Sequence, residues 1–154
     1  MSEKVQNGGT TLSLVLLEST KMSIAHVGDS RIYFVRDREI RQLSEDHSLV
    51  ALLVASGQIS EAESQQHPDR NVLTKSLGAK KRLSQNYVQT VTDIELQDGD
   101  VILLCSDGVW DLVNDQELME LFMPMTSTTV LQTAVNQGIK LVLKRGAPLS
   151  LIHI

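Results

Sequence analysis

The chain has 154 residues, of which 42% are hydrophobic and 21% charged, and its formal net charge is −5. This length and composition predict one globular domain with a buried core. The negative charge argues against nucleic acid or an anionic membrane as a partner. No apolar run approaches the ~18 residues that span a bilayer, and no hydrophobic signal segment opens the chain. With Cys105 as the only cysteine, we expect a cytoplasmic protein without an intrachain disulfide.

Closely spaced strand patterns fill the first third of the chain. Residues 10–17 are almost continuously apolar, which predicts a strand buried on both faces. Further short strands are predicted at residues 22–27, 32–35 and 40–43. The turn sequence Gly-Asp-Ser-Arg at residues 28–31 predicts a hairpin between the second and third strands. Four strands in quick succession favour an antiparallel meander.

The middle of the chain has a different pattern. Residues 44–86 predict an irregular insert with short helices at residues 49–55 and 60–66. Strand patterns return at residues 87–94 and 101–105, and the second of these is fully apolar.

The C-terminal part of the sequence is helical. Two helices are predicted between residues 115 and 145, the first capped by Asp115 and the second by Ser127 or Thr128. Residues 149–154 are compatible with a final strand. Strands that come first and helices that come later, without regular alternation, favour an α+β fold.

Two acidic turns are candidate cation sites because each follows directly on an apolar strand. Asp29 lies in the first turn, and Asp107 and Asp111 lie in the second. If the chain bends into a helical turn after Gly108, the latter two carboxylates face the same way. Grouped carboxylates repel one another unless a cation neutralises them, and oxygen ligands suit Mg²⁺ or Mn²⁺. Aspartate is also common in turns for local hydrogen-bonding reasons, so a purely structural role stays open.

Five short segments occur in order between residues 9 and 113. They are Thr-Thr-Leu at 10–12, Ala-His-Val-Gly-Asp-Ser-Arg-Ile-Tyr at 25–33, Leu-Ser-Glu-Asp-His-Ser at 43–48, Asn-Val-Leu-Thr-Lys-Ser-Leu-Gly at 71–78, and Asp-Gly-Asp followed by Leu-Leu-Cys-Ser-Asp-Gly-Val-Trp-Asp within 98–111. In order and spacing they resemble consecutive signatures of the PPM-type (protein phosphatase 2C) serine/threonine phosphatases. A lone Gly-Asp-Ser-Arg would carry little weight, whereas five segments in register are specific.

The resemblance implies a fold of two facing antiparallel sheets flanked by helices, with residues 44–70 as a variable flap beside the active site. It implies hydrolysis of phosphoserine and phosphothreonine on proteins by a water held between two Mn²⁺ or Mg²⁺ ions, so that no enzyme nucleophile is required. A phosphoprotein substrate and a cognate kinase are the partners expected from it.

The resemblance also assigns roles to individual residues. Asp107 corresponds to a ligand of the metal cluster. Asp29 and Asp111, together with Asp107, correspond to a third and more weakly held metal site. Gly28 and Gly108 would permit the tight turns that carry these carboxylates.

The sequence departs from the family pattern at both ends. It contains no Asp-Gly-His-Gly-Gly segment, which supplies core metal ligands in the family, and no acidic residue at 146–154, where the family has another ligand. We therefore expect residues 1–154 to form a partial domain with little or no phosphatase activity alone. Uncovered sheet edges would favour association with another chain. Residues 147–154 are, by hypothesis, a non-native segment that replaces the last strand.

The same residues argue against two other enzyme classes. Gly-Asp-Ser also occurs in a class of esterases, but no aspartate lies three residues before any histidine, as their catalytic pair requires. A cysteine phosphatase needs an arginine six residues after Cys105, where Asp111 stands. The four histidines are scattered singly and are expected to be structural or exposed. The main competitor is a non-catalytic, pseudophosphatase-like domain that keeps the fold for binding or regulation.

Overall fold

The structure is a computed structural model that describes residues 8–78, 82–123 and 128–147. These residues form two compact units. The first contains the described residues up to Ser30 together with Ser44–Ile94, and the second contains Arg31–Leu43 and the described residues from Glu95 onwards.

The described elements are four strands, two short helices, two further strands and three helices. In chain order they are β1 (Leu12–Glu18), β2 (Lys21–Val27), β3 (Arg31–Arg36), β4 (Glu39–Gln42), α1 (Leu49–Ala55), α2 (Glu61–Gln65), β5 (Gln89–Glu95), β6 (Val101–Cys105), α3 (Asp107–Trp110), α4 (Asp115–Phe122) and α5 (Thr128–Lys144). No helix among the described residues is long and apolar enough to cross a membrane.

The first unit contains a three-stranded sheet in the order β1-β2-β5. β1 and β2 form an antiparallel hairpin in which Val15 lies opposite Ile24. The central strand supplies the buried apolar side chains of Met22, Ile24 and Val27. α1 begins where the Ser48 hydroxyl accepts a hydrogen bond from the backbone N–H three residues further on, as an N-cap does.

The second unit contains a three-stranded antiparallel sheet in the order β4-β3-β6 together with α3, α4 and α5. Its core combines one aromatic side chain of β3 with side chains of the segment around α4 and of α5. The buried members are Tyr33, Val113, Leu118, Phe122, Ala134 and Val142. Cys105 is partly buried and packs against this cluster.

The predicted α+β fold with two antiparallel sheets is confirmed. Most predicted elements lie within one or two residues of the observed ones, although the cap of α4 is Asn114 rather than Asp115. Of the two expected caps of α5, Thr128 is its first residue, and Ser127 lies outside the described residues. Residues 149–154 also lie outside them, so the final strand stays a prediction.

The predicted hairpin at residues 28–31 is wrong. β2 and β3 belong to different sheets, so the segment between them carries the chain from one sheet to the other and the four strands do not form a meander. The same turn chemistry serves both purposes, because Gly, Asp and Ser accommodate any sharp change of direction.

The predicted two-sided burial of the first strand is also wrong. Among the described strands, β1 lies at an edge of its sheet and pairs with β2 alone. Four of its leucines expose 43–60% of their surface: Leu12, Leu14, Leu16 and Leu17. Between residues 10 and 17 the edge carries no charged side chain, although charges are a common protection of sheet edges.

We predict that a charge on this edge weakens self-association. Leu14→Lys should reduce the association constant of the purified chain about tenfold, or about 1.4 kcal/mol, as measured by analytical ultracentrifugation. Leu52→Lys makes the same change on α1, where Leu52 is 57% exposed, and should have a smaller effect. Equal effects of both substitutions would show that the edge has no special role in association.

Candidate functional site

Gly28 holds the turn between β2 and β3 in a conformation that other residues do not tolerate. Its φ angle is +118°, in a region that glycine adopts readily and L side chains rarely do. A Cβ atom added at Gly28 would lie 2.3 Å from Thr11 Cγ2 and 2.5 Å from Thr11 Cβ. The Thr11 hydroxyl also lies 3.2 Å from the Ser30 hydroxyl. The turn that carries Asp29 is therefore packed closely against the start of the first strand.

Both polar groups of the Gly28 backbone bind to His47. The Gly28 N–H donates to His47 Nδ1 at 3.1 Å, and the His47 N–H donates to the Gly28 carbonyl at 2.7 Å. His47 is itself held in place, since its carbonyl accepts a hydrogen bond from the Thr74 N–H at 2.8 Å. The turn is therefore held by hydrogen bonds to the side chain and backbone of His47, and not by the strand-to-strand hydrogen bonds of a hairpin.

His26 adds a third hydrogen bond to the same glycine. Its Nε2 lies 3.0 Å from the Gly28 carbonyl, and its Nδ1 lies 2.9 Å from the Ser13 hydroxyl of β1. A carbonyl only accepts, so Nε2 carries the proton and Nδ1 accepts from Ser13 in the neutral ring. The rings of His26 and His47 stack with centroids 5.3 Å apart and an interplanar angle of 19°.

Both imidazoles are held in the neutral form. His26 is fully buried and His47 is 7% exposed. Burial is the main cause that lowers the pKa of His47 to about 4, and the nearby charge of Lys75 and the ring of His26 lower it further, against the opposing effect of Asp46. Burial likewise lowers the pKa of His26, although its bond to the Gly28 carbonyl opposes the shift.

The second acidic turn is helical, which was the condition for its two carboxylates to face the same way. Asp107 begins α3, and Asp111 follows its last residue with helical backbone angles. The Asp111 N–H donates to the Asp107 carbonyl at 2.9 Å. Both side chains are exposed, and Asp107 Oδ1 accepts the N–H of Gly108 at 2.8 Å. Gly108 lies inside α3. That a glycine is needed there to permit the turn stays a prediction.

Arg31 fixes this helical turn from the neighbouring strand. Its guanidinium carbon lies 3.8 Å from the centroid of the Trp110 ring, which is a close cation–π contact. Its Nη1 donates to the hydroxyl of the buried Tyr33 at 3.0 Å. The first residue of β3 thereby contacts the last residue of α3, one position before Asp111.

The structure places the three predicted ligands on two turns in different units. Asp29 belongs to the first unit, and Asp107 and Asp111 belong to the second. Among the described residues no group of three or more acidic, histidine or cysteine side chains forms a ready metal site. Carboxylate oxygens are suitable ligands for one divalent cation, but these three aspartates do not make up the ligands of a complete two-metal core. Convergence of Asp29 with the other two stays a prediction.

Sequence reasoning missed the histidine pair. His26 and His47 were expected to be structural or exposed, but no contact between them was predicted, and they stack and share one glycine as a hydrogen-bond partner. The available signal was their position, because each lies inside a segment that resembles a family signature. Spacing of 21 residues along the chain gives no indication that the rings meet.

Gly28→Ala should strongly destabilise the protein, because it adds backbone strain of about 1–3 kcal/mol and a steric overlap of about 1–3 kcal/mol. Chemical denaturation measures the loss of unfolding free energy. Gly99→Ala is a matched control, since Gly99 has φ +94° but an added Cβ meets nothing within 4 Å. Equal losses in the two variants would show that the contact with Thr11 contributes nothing.

We also predict that stability falls as the pH is lowered from about 6.5 to about 4. The unfolded chain binds a proton at His47 near pH 6.5 and the folded chain only near pH 4, so acid favours unfolding by up to about 3 kcal/mol. Denaturation midpoints across this range measure the effect. His47→Asn should flatten the profile, because it removes the group that titrates. A wild-type profile that is flat above pH 4 would contradict the prediction.

Comparisons with known proteins bear on these features. The sequence profile described as Protein phosphatase 2C matches residues 2–144. The serine/threonine phosphatase stp of Listeria monocytogenes is 40% identical over 121 residues, which are 78% of this chain and 46% of that protein. The protein phosphatase PhpP of Streptococcus pneumoniae is 34% identical over 119 residues, 77% of this chain and 47% of that protein. The chain spans about half the length of the curated relatives it matches.

Solved structures show the same likeness. The crystal structure of the serine/threonine phosphatase PstP/Ppp of Mycobacterium tuberculosis superposes with a TM-score of 0.79 at 31% identity, over 91% of this chain and 56% of that one. The catalytic domain of the serine threonine protein phosphatase PstP in complex with two manganese ions superposes with a TM-score of 0.78 at 30% identity, over 95% of this chain and 57% of that one.

Proposed function

Because the chain belongs to the protein phosphatase 2C family, we propose that the protein of which it forms part hydrolyses phosphoserine and phosphothreonine on other proteins. The observation that carries the proposal is the match over residues 2–144, which includes both acidic turns. Phosphorylated proteins are the proposed substrates, and a serine/threonine kinase that produces them is the proposed counterpart in signalling. A cytoplasmic location is proposed with them, and the single cysteine is compatible with a reducing compartment.

Mg²⁺ or Mn²⁺ is the proposed cofactor. Asp29, Asp107 and Asp111 would hold one such ion through carboxylate oxygens, the donors that hard divalent cations prefer. In this class of reaction the cations supply Lewis acidity and activate the attacking water. The residues of this chain would fix the carboxylates, through Gly28 at the first turn and through Arg31 at the second.

The isolated chain is proposed to lack most of this activity. A carboxylate pair on one helical turn cannot balance the charge of two divalent ions against hydration, and the described residues contain no larger ligand group. Retention of the fold without a complete metal core favours, as a second candidate, a non-catalytic domain that binds phosphoproteins or regulates a partner.

Titration of the chain with Mn²⁺ by isothermal calorimetry should give at most one weak site. Asp107→Asn should abolish it, because the substitution removes a charged ligand. Asp98→Asn makes the same change in an exposed turn of the same unit and should leave the affinity unchanged. Tight binding of two ions would contradict the proposed incompleteness, and equal affinities of the two variants would remove Asp107 from the site.

The proposed activity of the whole protein is tested on material isolated from its source cells with an antibody raised against this chain. It should release phosphate from phosphoserine and phosphothreonine peptides when Mn²⁺ or Mg²⁺ is added, and lose this activity with a chelator. Failure to release phosphate with either ion would favour the non-catalytic alternative.

A further inference from the structure

We propose that His26 and His47 are positioning residues for Asp29: as a stacked, hydrogen-bonded pair they fix the Gly28 peptide groups from both sides and so set the direction in which the Asp29 carboxylate leaves the sheet. The inference rests on the proposed role of Asp29 in cation binding. It assigns a task to two buried side chains that the proposed chemistry does not otherwise use.

The first step of the argument is that the Gly28 backbone is fully bonded. Its N–H donates to one ring, and its carbonyl accepts from the other ring and from a backbone N–H. The N–H and the carbonyl of Gly28 belong to the two successive peptide groups on either side of its Cα, and neither group can rotate without breaking buried hydrogen bonds, each of which costs about 1–3 kcal/mol when left unsatisfied. The conformation at φ +118° is thus fixed directly before Asp29.

The second step is that each histidine is anchored to a different part of the first unit. His26 lies in β2 and is tied to Ser13 of the neighbouring strand. His47 is tied through its carbonyl to Thr74 and directly precedes Ser48, the N-cap of α1. The turn therefore takes its position from β1, β2 and the start of α1 together, rather than from local backbone preferences.

The third step concerns the choice of side chains. A purely apolar filling of the same space would need no hydrogen bonds, whereas two buried imidazoles need a partner for each nitrogen that faces the interior. Three of the ring nitrogens have identified partners, and two of these three bind Gly28. Most of the identified hydrogen bonds of the two rings therefore go to Gly28, the residue directly before the proposed ligand Asp29.

The direct test is spectroscopic and uses the whole ¹⁵N-labelled chain. A scalar coupling across the N–H···N hydrogen bond should link the Gly28 amide nitrogen to His47 Nδ1, and that ring nitrogen should show the chemical shift of an unprotonated imidazole nitrogen. The bond from the Asp69 N–H to His67 Nδ1 has the same length, 3.1 Å, in a more exposed turn and provides a reference. Absence of the coupling together with a protonated Nδ1 would overturn the proposal.

The functional test compares variants by the Mn²⁺ affinity of the chain, measured by electron paramagnetic resonance. His47→Leu should weaken binding about tenfold, the lower end of the effect of losing a residue that orients a ligand. His47→Asn keeps an acceptor near the Nδ1 position and should restore most of the affinity. His67→Leu is the control and should bind as the wild type does. Equal binding by His47→Leu and wild type, or no rescue by His47→Asn, would overturn the positioning role.

Different results would overturn the cation-binding role of Asp29 and the positioning role of the histidine pair. If Asp29→Asn binds Mn²⁺ as tightly as the wild type, or if the wild type binds none, the cation role of Asp29 is wrong. The ¹⁵N relaxation of the Asp29 amide then decides the positioning role by itself. An amide that is rigid in the wild type and in His47→Asn but mobile in His47→Leu supports it, and an amide equally rigid in all three overturns it.

Discussion

His47 accepts the Gly28 N–H on its ring and returns its own backbone N–H to the Gly28 carbonyl, and the first unit is organised around this closed pair of hydrogen bonds. It joins the end of β2 to the segment that leads into α1, although 19 residues separate the two in sequence. Because the pair is buried, bonds to water do not readily replace these hydrogen bonds when they break, so a change of the turn's conformation costs free energy. Asp29 is the next residue after Gly28, so its carboxylate is attached to this fixed part of the backbone.

The acidic turn of the second unit is also held in a defined geometry, but by different contacts. Asp107 and Asp111 lie on one helical turn whose geometry is set by a backbone hydrogen bond, and Arg31 packs on Trp110 to hold that turn against β3. Burial and a hydrogen bond fix the first acidic turn, whereas a cation–π contact and a short helix fix the second. In each case a side chain from a distant segment or a neighbouring element fixes the geometry of the turn, which the local sequence alone would not determine.

Local patterns were sufficient for elements whose stability is local. The helix predicted at residues 49–55 is α1 with the same bounds. The hairpin predicted at residues 28–31 failed because the decisive partner of Gly28 is His47, and no local preference reports a contact of that range. The burial of β1 failed for a related reason, since an apolar run does not say whether its strand lies at the edge or the centre of a sheet. The two carboxylate turns were predicted, but the histidines beside one of them were not, because single imidazoles give no periodic signal.

Amide hydrogen exchange of the native chain measures the central constraint most directly. If the Gly28 and His47 amides are closed by one shared structure, they should exchange with the same opening free energy, and both should be among the slowest amides of the first unit. A Gly28 amide that exchanges as fast as those of the exposed turn at Asp98 and Gly99, while His47 stays protected, would contradict the account.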